Sequence, residues 1–196
     1  MSSQLISLIL FGIAVSFSPG PNNILTSYTA YNFGFKKTVP TMLGVISGWT
    51  LLSIFLLFSS TIIFAKFNNL QIIIKILGSV YLLFLAYKIS FSKTKLEKHI
   101  QKPVTFLNTF FFQFVNPKSI IAGSTAVSLF VDLQSNYIRD SIIFVFVMFL
   151  AAVGSQTAWC FMGSYLRKFA TSEKFVRNFN YIMSFLLIVC VIMFYV

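Results

Sequence analysis

The sequence predicts an all-α integral membrane protein of six transmembrane helices, arranged as a 3+3 inverted repeat with broken helices 1 and 4. Composition is the first reason: AVILMFWYC make up 57% of the 196 residues and DEKR only 10%, against roughly 25% charged residues in an average soluble domain. That leaves too little polar surface to coat a soluble particle, whereas lipid tolerates helices that are apolar all round. The second reason is alternation, since long uncharged stretches are separated by short basic gaps. The third is a pair of proline motifs, each set inside one of the uncharged stretches.

Residues 2–35 carry no charge but contain Pro19, Gly20 and Pro21, so helix 1 is expected over about 4–31 with a break near 19. No basic region precedes this stretch, so it does not resemble a removable signal and the helix is expected to stay in the protein. Helix 2 is expected over about 40–64, and helix 3 over about 69–91 with Lys75 near one end, where a long side chain can snorkel. Helix 4, about 104–131, is interrupted by Asn116-Pro117-Lys118. Helices 5 and 6 are expected over about 141–166 and 177–195. No loop has room for a second folded unit, so residues 1–196 form a single transmembrane domain.

The basic residues orient these helices. Lys36, Lys37, Lys88, Lys93, Lys95, Lys98, Lys102, Arg167, Lys168, Lys174 and Arg177 fall in the odd-numbered gaps, and only Lys66 and Arg139 in the even ones. The positive-inside rule then puts the odd loops in the cytoplasm and both termini outside. The same distribution explains the net charge of +11 without nucleic acid, since the charges flank apolar runs and form no phosphate-binding patch. Cys160 and Cys190 stand in different apolar segments without His or Cys neighbours, so they read as small hydrophobes, and no metal site or cofactor is expected.

Three helices per half require the second half to enter the membrane from the opposite face. Each half opens with a broken segment, Pro19-Gly20-Pro21-Asn22-Asn23 in one and Asn116-Pro117-Lys118-Ser119 in the other. The middle helices both pair small residues with tryptophan, as Gly44, Ser47, Gly48, Trp49 and as Gly154, Ser155, Ala158, Trp159. Gly44 and Gly48 suit close helix packing, and Gln113 and Gln156 suit hydrogen bonds between helices.

Proline removes an amide donor, so these breaks free backbone groups at a depth without water, which is tolerated only inside protein or along a wet cavity. Asn22, Asn23 and Asn116 are expected to cap the second half-helices and to offer amides to a ligand. A lysine in mid-membrane costs about 2.5–3.5 kcal/mol or more. Lys118 is therefore expected either to line an aqueous path, where it can meet a carboxylate, or to be tied to protein carbonyls. Alternatively, helix 4 starts near Pro117 with residues 104–115 re-entrant, which would leave Lys118 near the headgroups. The candidate substrate-binding residues are Pro19, Gly20, Pro21, Asn22, Asn23, Asn116, Pro117 and Lys118; none is catalytic.

Ser18-Pro19-Gly20-Pro21-Asn22-Asn23, Gly34 beside lysines, the Gly44/Gly48 pair, the helix 3 run from Leu77-Gly78-Ser79 to Ala86-Tyr87-Lys88, and Phe114-Val115-Asn116-Pro117-Lys118 together resemble the lysine-exporter (LysE/RhtB-type) family of amino-acid translocators. The resemblance covers essentially the whole chain. It implies a six-helix protein of the prokaryotic cytoplasmic membrane that exports amino acids or their derivatives, generally driven by an ion or proton gradient. The expected partners are a small-molecule substrate and the lipid bilayer, and a homo-oligomer stays open. No Asp or Glu lies within any expected span, however, so no proton relay follows from the residues. Competing classes are an exporter of another small polar metabolite and a non-transporting assembly or regulatory membrane protein. A metal exporter or a thiol enzyme would need clusters that this sequence lacks.

Overall fold

A computed structural model of the chain describes residues 2–58, 68–91, 102–132, 136–169, 173–193 and 195. Among them the chain is helical and without strands: α1 (Ser2–Phe17), α2 (Pro21–Phe33), α3 (Phe35–Phe58), α4 (Asn68–Ser90), α5 (Phe106–Phe112), α6 (Pro117–Phe130), α7 (Tyr137–Leu166) and α8 (Glu173–Met193), with a 3-10 turn over Arg167–Phe169. Three helices are each long and apolar enough to cross a bilayer, namely α3, α7 and Lys174–Ile192 of α8; the bent α1–α2 pair makes a fourth. The exterior of the long helices carries large exposed side chains such as Phe84, Phe146, Leu150 and Phe161. Acyl chains are the solvent that such a surface fits, and the protein is a multi-pass membrane protein.

The first break falls where the prolines put it: α1 ends at Phe17, α2 starts at Pro21, and their axes differ by 53°. The second is wider than a kink. Seven-residue α5 is capped at Thr105, whose hydroxyl accepts from the Asn108 amide, and a turn separates it from α6 at Asn116. Lys118 consequently sits in the first turn of a half-helix, not within a continuous one.

Helix α3 begins at Phe35, several residues before its expected start. Gly34 makes the turn at φ 85°, where a Cβ would also strike Arg167, and the exposed Pro40 is accommodated inside the helix. Residues 59–64, expected to finish this helix, lie outside the described residues. So do Lys66, Lys93, Lys95, Lys98 and the Lys75 side chain.

Two apolar clusters hold the helices together. One joins α1, α3, α6 and α7 around Trp49, Leu52, Val127, Phe144 and Met148. The other joins α2, α4, α5 and α8 around Leu25, Tyr31, Leu82, Phe112 and Leu187, with Tyr31 stacked on Phe179 at 3.7 Å between ring centroids. Glycines set the closest approaches. A Cβ on Gly44 would overlap the Phe106 carbonyl, and one on Gly48 would lie 2.6 Å from the Phe110 carbonyl, so α5 rests directly on α3. Gly78 meets the Val115 carbonyl and Gly163 the Ser27 carbonyl in the same way.

Gly48→Ala must push backbone against backbone, an overpacking cost of about 1–3 kcal/mol. Gly154→Ala meets nothing nearer than 3.6 Å. Thermal unfolding of the detergent-purified protein should therefore show a midpoint several degrees lower for Gly48→Ala and unchanged for Gly154→Ala. Equal midpoints would contradict the α3–α5 contact.

Candidate functional site

The break between α1 and α2 leaves carbonyls without their helical amides, and side chains reach those of Val15, Ser16, Ser18 and Pro19. Pro19 cannot donate to the Val15 carbonyl, and the Ser18 hydroxyl does so instead at 2.9 Å. The Ser16 carbonyl accepts Asn23 Nδ2 at 2.8 Å and the Ser155 hydroxyl at 2.6 Å. Asn23 Nδ2 also reaches the Ser18 carbonyl at 2.9 Å. Lys118 Nζ then donates to the Ser18 carbonyl at 3.0 Å, to Ser18 Oγ at 2.8 Å and to the Pro19 carbonyl at 3.2 Å. The three donors of an ammonium meet three neutral oxygens. Because this end of α1 is also the negative end of its dipole, the position suits a cation.

Helix α2 emerges on the other side of the break. Its N-cap is Gly20, in extended conformation and with no side-chain cap. Here the structure corrects the sequence reading: Asn22 and Asn23 occupy the first turn of α2 and turn their side chains elsewhere, whereas Asn116 does cap its helix, its Oδ1 accepting the Lys118 amide at 3.2 Å. The first turn of α2 thus keeps its positive end free of a capping acceptor, which favours an anion. Gly20 leaves room for the lysine: a Cβ there would come within 2.8 Å of Lys118 Nζ, and the side chain would have to shift.

The amides around the breaks form a network across helices. Asn22 and Gln113 exchange two bonds at 2.9 Å each, and Ser119 donates to the same Gln113 oxygen at 3.0 Å. Asn23 Oδ1 accepts from Gln156 Nε2 at 2.8 Å, while Gln156 Oε1 accepts from Thr26. Both glutamines therefore bond between helices, as the sequence suggests.

These groups surround a cleft of about 460 Å3, its open mouth included, lined among others by Ser16, Gly20, Pro21, Asn22, Asn23, Trp49, Asn116, Lys118, Ser119, Ser155 and Gln156. Six of the eight expected site residues line it; Pro19 and Pro117 shape the breaks from behind. Val45, Trp49, Ala152 and Ser155 are additions from α3 and α7. Trp49 and Ser155 belong to the two clusters that pair small residues with tryptophan, which the sequence assigns to helix packing, and Val45 and Ala152 carry no such signal. Lys118 is the sole ionisable side chain in the lining among the described residues. The two cysteines are buried and free, and no described group of His, Cys, Asp or Glu could hold a metal.

Asn23→Leu leaves the buried Gln156 amide without its acceptor, at about 1–3 kcal/mol, and takes one of two donors from each of the Ser16 and Ser18 carbonyls, which keep Ser155 and Lys118. The expected result is a clear drop in thermal stability in detergent, with Ser155→Ala losing less. A stable Asn23→Leu protein would show that water satisfies these groups.

Among known proteins, the family model described as LysE type translocator matches residues 13–196. The chain is 29% identical over 185 residues to a cysteine/O-acetylserine efflux protein of Salmonella paratyphi A, covering 93% of this chain and 92% of that one. The protein of the same description from Escherichia coli K12 is 29% identical over 187 residues, with the same coverage. No solved structure matches the chain. With a match that runs through both helix breaks and the whole cleft, the chain belongs to the LysE type translocator family and is a transporter, not an enzyme.

Proposed function

We propose that this protein exports amino acids or their derivatives across the cytoplasmic membrane by alternating access, with the cleft at the two helix breaks as its substrate site. The observation that carries the reading is Lys118, a cation set among neutral oxygens beside the uncapped end of α2. A substrate carboxylate would supply the missing counter-charge and accept from the α2 amides. Asn22 and Asn116 hold the two half-helix ends at the cleft, and Gly20 leaves room for the lysine.

In this reading six spans cross the membrane as a 3+3 inverted repeat, α1–α2 and α5–α6 being the broken pair. The distribution of basic residues supports odd-numbered loops in the cytoplasm and both termini outside. Membership of the family supports export of amino acids. The relatives' description, cysteine/O-acetylserine efflux, supports a small amino acid with a short polar side chain. Cysteine and O-acetylserine are both zwitterions, with one carboxylate for Lys118.

Efflux of labelled amino acids from a deletion strain complemented with the gene tests the assignment. Lys118→Ala, Asn22→Ala and Asn116→Ala should each lower export at least tenfold while membrane insertion stays normal. Unchanged export in all three would remove the cleft as the substrate site. Untargeted profiling of medium and cytosol in the same strains identifies the exported compound, and a profile without any amino acid would overturn the proposal.

A further inference from the structure

The charge inside the cleft is one-sided. Three oxygens solvate the Lys118 ammonium without neutralising it, since two are carbonyls and one a hydroxyl. No carboxylate lines the cleft among the described residues. Of the described acidic side chains, Asp140 pairs with Arg139 at 3.0 Å near the start of α7 and Asp132 is exposed beyond the end of α6. The amide oxygen of Gln113 already accepts two bonds, from Asn22 and Ser119, that of Asn23 accepts Gln156 Nε2, and neither carries a charge that could offset a cation. A second ammonium on a substrate would therefore meet an unscreened like charge in a low-dielectric space and no counter-charge to offset it.

We infer that the cleft is a charge filter: it admits substrates that carry a carboxylate and a net charge of zero or below, it refuses diamino acids and other net cations, and Lys118 sets this discrimination. The inference rests on the cleft being the transport site and adds the substrate class. Size plays no part in it, because lysine and its uncharged isosteres occupy nearly the same volume. A filter built from a fixed cation works by repulsion as much as by attraction, which is how specificity is usually sharpened.

The test uses the full chain reconstituted in liposomes and preloaded, in parallel, with serine, glutamine, norleucine, lysine or Nε-acetyl-lysine. The wild-type protein should move glutamine at least tenfold faster than lysine, and acetylation of the lysine side chain should raise its rate by removing the second charge. Lys118→Met should bring the glutamine-to-lysine ratio towards one, whatever happens to absolute rates, and Lys118→Arg should restore it. Equal wild-type rates for lysine and glutamine would overturn the filter and leave transport standing. An unchanged ratio in Lys118→Met would take the role from Lys118. If none of the five compounds moved, the transport reading itself would fail and the filter with it. The wild-type comparison of lysine with norleucine, its uncharged near-isostere, decides the matter even if Lys118→Met does not fold.

Discussion

The ammonium of Lys118, set against Ser18 and Pro19 from a hundred residues away in the chain, is the contact on which the site depends. Prolines at 19 and 21 end α1 early and strand its last carbonyls in an apolar surrounding. A side chain of the same half, Asn23, answers some of them, but the remaining negative end is met by the one cation that α6 brings. The tie works in both directions. It satisfies the end of α1, and it gives an otherwise costly intramembrane lysine a set of acceptors.

Around that contact lies a polar centre in an apolar molecule. Helix α2 is among the most polar stretches of the chain, with Asn22, Asn23, Thr26, Ser27, Thr29 and Asn32 in thirteen residues, yet ten of the thirteen are buried. In a soluble protein such a helix would face water. Here lipid surrounds the bundle, so the polar helix goes to the middle, where several of its groups are bonded: Thr29 to the Leu25 carbonyl and Asn32 to Asn180, while the buried Ser27 and Tyr31 hydroxyls meet no hydrogen-bond partner among the described residues. Transporters invert the usual layering in this way because their substrate is polar and their solvent is not.

The apolar packing serves the same end. By lacking side chains, Gly44 and Gly48 let the carbonyls of α5 approach α3, and this close seat carries Gln113 to Asn22 and leads the chain into Asn116 at the cleft. Trp49, one helical turn from Val45 on the same face, closes the cleft with its ring while its edge packs on Gly123.

Much of this was written in local chemistry. Uncharged stretches, proline motifs and paired glycines dictate membrane helices, the places where they break and the faces that pack, because each depends on the chain's own amides, volumes and solvent preference. The true partners of Asn22 and Asn23 were not readable there. An asparagine near a helix start can bond its own backbone or a distant partner at similar cost, and here Gln113 and the Ser16 carbonyl outcompete the local cap. For Lys118 the sequence left three outcomes open: a wet path, a set of carbonyls, or a place near the headgroups with helix 4 starting near Pro117. The fold starts α6 at Pro117 and ties the ammonium to the end of α1 at the edge of the cleft, because only the meeting of two segments a hundred residues apart could bring these groups together.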